Sequence, residues 1–129
     1  MKLIDLEEVA YTTEELTDLI EVLFEGVEDW QMKTTSAFRK GVKKHRGNRK
    51  VKDALGKLQQ FIVGQEQKPQ IGDYPQEYNV HVIRKHKSFP NGVLDAHLVG
   101  SQILVLFNVD YTQKILQLYG LGSHTELSI

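Results

Sequence analysis

The chain has 129 residues, 40% hydrophobic and 26% charged, which suits one compact domain and leaves too little for two independently folded ones. It contains no cysteine, so a disulfide framework, a thiolate zinc site and a cysteine nucleophile are all excluded, as fits a reducing cytoplasm. The net charge of -1 hides a segregation: residues 1–29 hold one Lys against ten Asp or Glu, a sum of -9, which leaves +8 on the remainder, and such asymmetry points to nucleic acid or an acidic partner.

The start, MKLIDLEEVAYTTEEL, is acidic where a signal peptide would be apolar, and no apolar run approaches the roughly 20 residues of a membrane span. The chain therefore reads as soluble and unexported. Thr12 and Glu15 form a capping-box pair, Leu16, Leu19, Ile20 and Leu23 recur at helical spacing, and Gly26 is placed to stop the helix, so residues 13–25 are expected to form one acidic amphipathic helix. Residues 30–35, WQMKTT, are strand formers, and Ser36 is the expected N-cap of a basic helix running to about Arg46. After Gly47-Asn48, a second helix is marked by Val51, Ala54, Leu55, Leu58, Phe61 and Ile62 and ends at Gly64. From Lys33 to Lys57 there are ten Lys or Arg against the single Asp53, so the helical hairpin is basic.

The stretch from Gln65 to Pro75, with Pro69, Gly72 and Pro75, reads as a loop. Strands are then expected at 78–84, 92–98, 102–109 and 114–120, with short connections that favour antiparallel neighbours. The run Ile103-Leu104-Val105-Leu106-Phe107 is apolar at consecutive positions, the mark of a central strand covered on both faces. The expected class is α+β, in the order β-α-α-β-β-β, with the hairpin on one face of a mostly antiparallel sheet and the other face open. An acidic extension, residues 1–29, precedes this domain of residues 30–129.

Strand alternation sorts the polar residues. Leu94, Ala96 and Leu98 point one way, so Asp95 and His97 point the other, where they are expected to meet solvent or substrate. His81 alternates with Val80 and Val82, and His124 lies just past the last strand.

The pattern Pro75-x-x-Tyr78-x-x-His81-x-Ile83, then Leu94-Asp95-Ala96-His97-Leu98, then the apolar run, then Leu121-Gly122-Ser123-His124 resembles the RelE superfamily, especially its YafQ-like branch, over roughly residues 30–128. The resemblance implies a toxin that cleaves mRNA, typically on the ribosome, and is neutralised by an antitoxin encoded beside it. His81 corresponds to the family's histidine after Pro-x-x-Tyr, His97 to the one in Asp-Ala-His, and His124 to the one near the C-terminus. The chain departs from the branch at Gly100-Ser101-Gln102, which stands in place of Pro-Asp-Trp, and at Leu127-Ser128, where an aromatic follows the last histidine.

Metal-free RNA cleavage needs a base for the 2′-hydroxyl, an acid for the departing 5′ oxygen and cations for the phosphate. Histidine, with an ordinary pKa of about 6.5, serves in either proton-transfer role at neutral pH. His81 and His97 are the expected acid–base pair, in either assignment, with His124 as phosphate or transfer partner and Asp95 holding the His97 tautomer or positioning substrate. Arg84, Lys85 and Lys87 supply charge beside the site, and Arg39, Lys40, Lys43, Lys44 and Arg46 a basic RNA-binding surface. No cofactor is expected. Zinc is disfavoured by the long spacings between histidines and by the absence of a helical His-x-x-x-His, and Gly41, Gly47 and Gly56 lack the ending of a phosphate loop. His45 reads as helix surface, and Trp30, Tyr111 and Tyr119 as packing residues before base-stacking ones. Two rivals stay open: a relative that binds RNA, ribosome or antitoxin without cutting, and a gyrase-directed ParE-like protein, which the three histidines disfavour. The acidic segment either masks the basic body or packs as a simple added helix.

Overall fold

The computed structural model describes residues 2–5, 30–83, 89–90, 92–100 and 102–129. Among these residues six strands, β1 (Lys2–Asp5), β2 (Gln31–Thr34), β3 (His81–Val82), β4 (Leu94–Val99), β5 (Ile103–Asp110) and β6 (Ile115–Gly122), form one sheet in the order β1-β2-β6-β5-β4-β3. The helices among the described residues are α1 (Ser36–Lys44), α2 (Arg49–Val63) and the short α3 (His124–Leu127). From β2 onward the elements run β-α-α-β-β-β-β-α, the expected α+β plan of a helical hairpin followed by a strand meander, with one strand more than β-α-α-β-β-β and the short α3 added. β2 runs parallel to both β1 and β6, and every other pairing is antiparallel. β1 has no counterpart among the expected elements, while the helix expected over residues 13–25 lies outside the described residues. No helix among the described residues is long and apolar enough to cross a membrane.

Local chemistry sets the helix ends. Thr35, not Ser36, is the N-cap of α1: its hydroxyl accepts from the Phe38 amide at 3.1 Å and donates to the Tyr119 carbonyl at 2.7 Å, which ties the cap to β6. Asn48 caps α2 by accepting from the Val51 amide at 3.3 Å, and Gly64 closes it. Both caps satisfy amides that have no partner in the first helical turn.

The main core lies between the hairpin and the sheet, with Phe38, Val42, Val51, Leu55, Leu58 and Ile62 set against Met32, Ala96, Val105, Phe107, Leu116 and Leu118. Gly41 lets α1 press on β6, since a Cβ there would stand 1.9 Å from the Leu121 carbonyl oxygen. The opposite face is not open, as patterning suggests. Val93, Leu104, Leu106 and Leu127 form a second buried cluster on it, joined by Ile83, Phe89, Tyr119 and Ile129. The consecutive residues Leu104 to Phe107 are each 0% exposed, as a central strand covered on both sides requires.

The strand expected over 78–84 is shortened to His81–Val82. Asn79 takes a left-handed conformation, φ 43° and ψ 52°, after a 3-10 turn over Gln76–Tyr78, and so interrupts extended backbone just before His81. Tyr78 is buried and donates its hydroxyl to the Ala54 carbonyl at 3.1 Å, anchoring this turn to α2.

Candidate active site on the far face of the sheet

Asp95 pairs with Leu106 and His97 with Leu104, so both sit on the face turned away from the helices, as strand alternation predicts. His81 is the cross-strand partner of Asp95. A register shift between His97 and Val99 leaves Leu98 as an extra residue, a bulge beside the histidine of the kind that re-aims a side chain. The expected exposure is corrected: Asp95 is 3% exposed and the His97 side chain 14%, because the second cluster covers this face. His81, at 52%, and His124 are the open members.

The four groups converge. His81 Nε2 lies 2.8 Å from Asp95 Oδ2, and its Nδ1 lies 3.0 Å from the Asn79 carbonyl, to which it donates. His97 Nε2 lies 4.0 Å from Asp95 Oδ1, and neither of these buried atoms has a hydrogen-bond partner among the described residues. Asp95 therefore holds His81 rather than the His97 tautomer. The His81 and His97 rings stand edge to face with centroids 5.9 Å apart, and those of His97 and His124 with centroids 6.3 Å apart. Burial raises the Asp95 pKa above its ordinary value, against the opposing pull of His81, His97 and His124. One ligand atom each from His81, Asp95 and His97 lies within 4.8 Å of the others, so spacings that are long in sequence are short in space.

A clasp places His124. On the far face Gly120 pairs with Leu106 and Gly122 with Leu104, and these glycines leave room for α3: a Cβ at Gly120 would stand 2.8 Å from Leu127 Cδ2, and one at Gly122 2.9 Å from Glu126 Oε1. Ser123 and Glu126 form a reciprocal capping box. The Glu126 carboxylate also pairs with Lys44 and, at 3.1 Å, with His45 Nε2, so both end residues of the first basic helix grip α3. Its hydrogen bond from Lys44, and then that from the Ser123 amide, hold its pKa down to about 2.

Of the basic residues expected to bind RNA, Lys40, Lys43, Lys44 and Arg46 are exposed, while Arg84, Lys85 and Lys87 lie outside the described residues. Arg39 is corrected: it is 4% exposed, and its guanidinium donates to the Thr34 side chain at 3.2 Å, so it is a buried brace between α1 and β2. Sequence reasoning missed Lys50 and Lys57. With Asp53, Glu77, His97 and Gly100 they line a cleft of about 450 Å³ between α2 and the end of β4. Their seven-residue spacing puts both on one helical face, which was the available signal. Trp30 and Tyr111 pack edge to face at 5.6 Å, and the Tyr111 hydroxyl donates to the Ile62 carbonyl at 2.9 Å, so both serve as packing residues.

No protein-family model matches the chain, and no curated protein matches its sequence. Solved structures do match. The E. coli DinJ-YafQ complex aligns with a TM-score of 0.54 and 19% identity, covering 76% of this chain and 97% of the matched one. The fold is that of YafQ. A YafQ point mutant from E. coli gives a TM-score of 0.56 at 17% identity, over 76% of this chain and 97% of that one. A metal-bound toxin from Helicobacter pylori gives 0.51 at 22%, over 74% and 96%. At these identities the likeness to YafQ is one of fold.

Proposed function

We propose that this chain is the toxin of a toxin-antitoxin module and cleaves mRNA without a metal ion, through His81, His97 and His124 arranged around Asp95. The observation that carries this reading is the convergence of the three imidazoles on one buried carboxylate, beside a lysine-lined cleft. The fold agrees, since the solved YafQ chain comes from a toxin-antitoxin complex, and an antitoxin partner is inferred for this chain on that basis.

The reaction is a transesterification. The 2′ oxygen attacks phosphorus as a base takes its proton, the bond to the 5′ oxygen breaks, and an acid protonates the leaving oxygen. Products are a 2′,3′-cyclic phosphate and a 5′-hydroxyl. His97 suits the base because its Nε2 has no hydrogen-bond partner among the described residues and its side chain lines the cleft. His81 suits the acid, because both its ring nitrogens face oxygen acceptors and can each carry a proton toward them. Exposed His124 is the phosphate partner, and Lys50 and Lys57 guide the strand into the cleft. Ribosome association belongs to the same reading.

Expression in a bacterial host, with transcript ends mapped, tests it. Wild type should arrest growth and produce mapped cuts, and His97→Ala should produce neither. Equal behaviour of the two would remove the nuclease reading. One observation favours the alternative of a homologue that binds RNA, ribosome or antitoxin without cutting: His97 Nε2 is buried, so its base chemistry requires substrate to displace the groups that cover it. Growth arrest without cuts in the wild type would select that alternative.

A further inference from the structure

We infer that Glu126, held by Lys44 and His45, is a positioning residue that fixes His124 beside His97, and that Lys44 serves this clasp instead of the RNA strand; the effect on cleavage rests on the nuclease reading above, the placement does not. His124 has no tether of its own. Among the described residues its ring makes no hydrogen bond, and the ring contact it makes is edge to face with His97 at 6.3 Å. Its position is therefore inherited from α3, and a helix of four residues is far too short to hold itself.

Two anchors hold α3. Leu127 packs into the far-face cluster, which sets the depth of the helix but leaves so short a segment free to pivot. The Glu126 carboxylate removes that freedom. Its Oε1 accepts from the Ser123 amide at 2.8 Å and from His45 Nε2 at 3.1 Å, while its Oε2 pairs with the Lys44 ammonium. Three donors on one carboxylate leave little of its accepting capacity unused.

The clasp also joins the two faces of the sheet. α1 lies on the hairpin face, seated on β6 by Gly41 against the Leu121 carbonyl and by the Thr35 hydroxyl on Tyr119, whereas α3 lies on the far face. Glu126 reaches past the end of β6 at Gly122 to meet Lys44 in the last turn of α1 and His45 at its C-cap. His124 is thereby set relative to a helix that is itself packed in the main core.

Magnitudes decide where the clasp acts. An ion pair with a lysine side chain 65% exposed adds little to global stability, so its removal should show in geometry and not in the melting temperature. Misplacing a reacting group by about 1 Å, by contrast, costs up to about 100-fold in rate. An ammonium already bound to a carboxylate is also a poor phosphate ligand, because RNA must displace Glu126 to reach it.

Full-length Lys44→Met, Lys44→Arg and Glu126→Ala, checked for folding by circular dichroism, are compared with wild type. Cleavage of a mixed-sequence single-stranded RNA is followed, free and on translating ribosomes, and binding by anisotropy over a salt series. Lys44→Met and Glu126→Ala should each lower kcat by about 10- to 100-fold with KM and the salt slope unchanged. Lys44→Arg should keep most of the activity, and the double variant should be no slower than Glu126→Ala alone. A Lys44 that contacts RNA gives the reverse: a raised KM, a salt slope flattened by about 0.7 and losses that add to those of Glu126→Ala, and that result overturns the inference. Lys44 is exposed, so its variant keeps the comparison alive if Glu126→Ala does not fold. Proton NMR reads the placement without RNA. The nuclear Overhauser contact between the His97 and His124 rings should be present in wild type and lost in both clasp variants; its persistence in either overturns the clasp. A wild type that shows this pattern but cleaves no RNA defeats the nuclease reading and leaves the placement standing.

Discussion

Asp95 is a carboxylate placed where folding disfavours its charge. Its pKa is raised by burial from 3.8, so the unfolded chain ionises first, and its contribution to stability is full below 3.8 and is lost as pH rises through the folded value. At neutral pH an ionised Asp95 therefore costs stability. Asp95→Asn is expected to melt at the same or a higher temperature than wild type at neutral pH, with the advantage vanishing at pH below 3.8, while cleavage falls because His81 loses the carboxylate that positions it. Thermal melts across pH, with cleavage rates beside them, check this. A lower neutral-pH melting temperature for Asp95→Asn would mean that the three histidines more than compensate burial. Strand alternation made the side of the sheet legible for Asp95 and His97, yet it misjudged their exposure. Val93, Leu104, Leu106 and Leu127 form the buried cluster on that face, and Leu127 reaches it from α3, beyond the last strand.

At the scale of elements, the two helices of the hairpin carry glycines with opposite demands. Gly41 in α1 faces β6 with no space for a methyl group, whereas a Cβ on Gly56 in α2 meets nothing within 4 Å. Gly41→Ala should therefore destabilise by about 1–3 kcal/mol through overpacking. Gly56→Ala should stabilise by up to about 1 kcal/mol through helix propensity. Urea denaturation of both variants reads the contrast, and a neutral Gly41→Ala would show that α1 can retreat from the sheet without loss. The hairpin was legible in sequence because capping residues and a 3.6-residue apolar period bracket both helices. β3 was not, because a single left-handed Asn79 truncates a run whose alternation continues past it. Nor was α3, whose four residues are too few to show a period and whose position depends on Lys44, His45 and two glycines in β6.

For the molecule as a whole, the basic excess outside the first 29 residues gains a direction from the cleft beside His97. Lys50→Ala combined with Lys57→Ala should weaken RNA binding and flatten the logarithmic dependence of affinity on salt by about 1.4, since each phosphate contact on a single strand contributes about 0.7. Fluorescence anisotropy over a salt series measures the slope, and an unchanged slope would place the strand elsewhere on the basic surface. The charge segregation was legible from composition, whereas its focus was not, because the cleft joins α2 to the end of β4 across the fold. The parallel seam has a further consequence, for how the chain folds. Thr35 meets Tyr119 across 84 residues, and the β2–β6 pairing closes a loop of that size, while β4, β5 and β6 follow one another through short turns. Closing a long loop costs more chain entropy than closing a hairpin, so the meander can assemble from local contacts and the seam sets the refolding rate. His81, Asp95 and His97 lie on the paired strands β3 and β4, within this local part of the chain, whereas His124 is set in place only once Lys44 and His45 reach Glu126 across the fold.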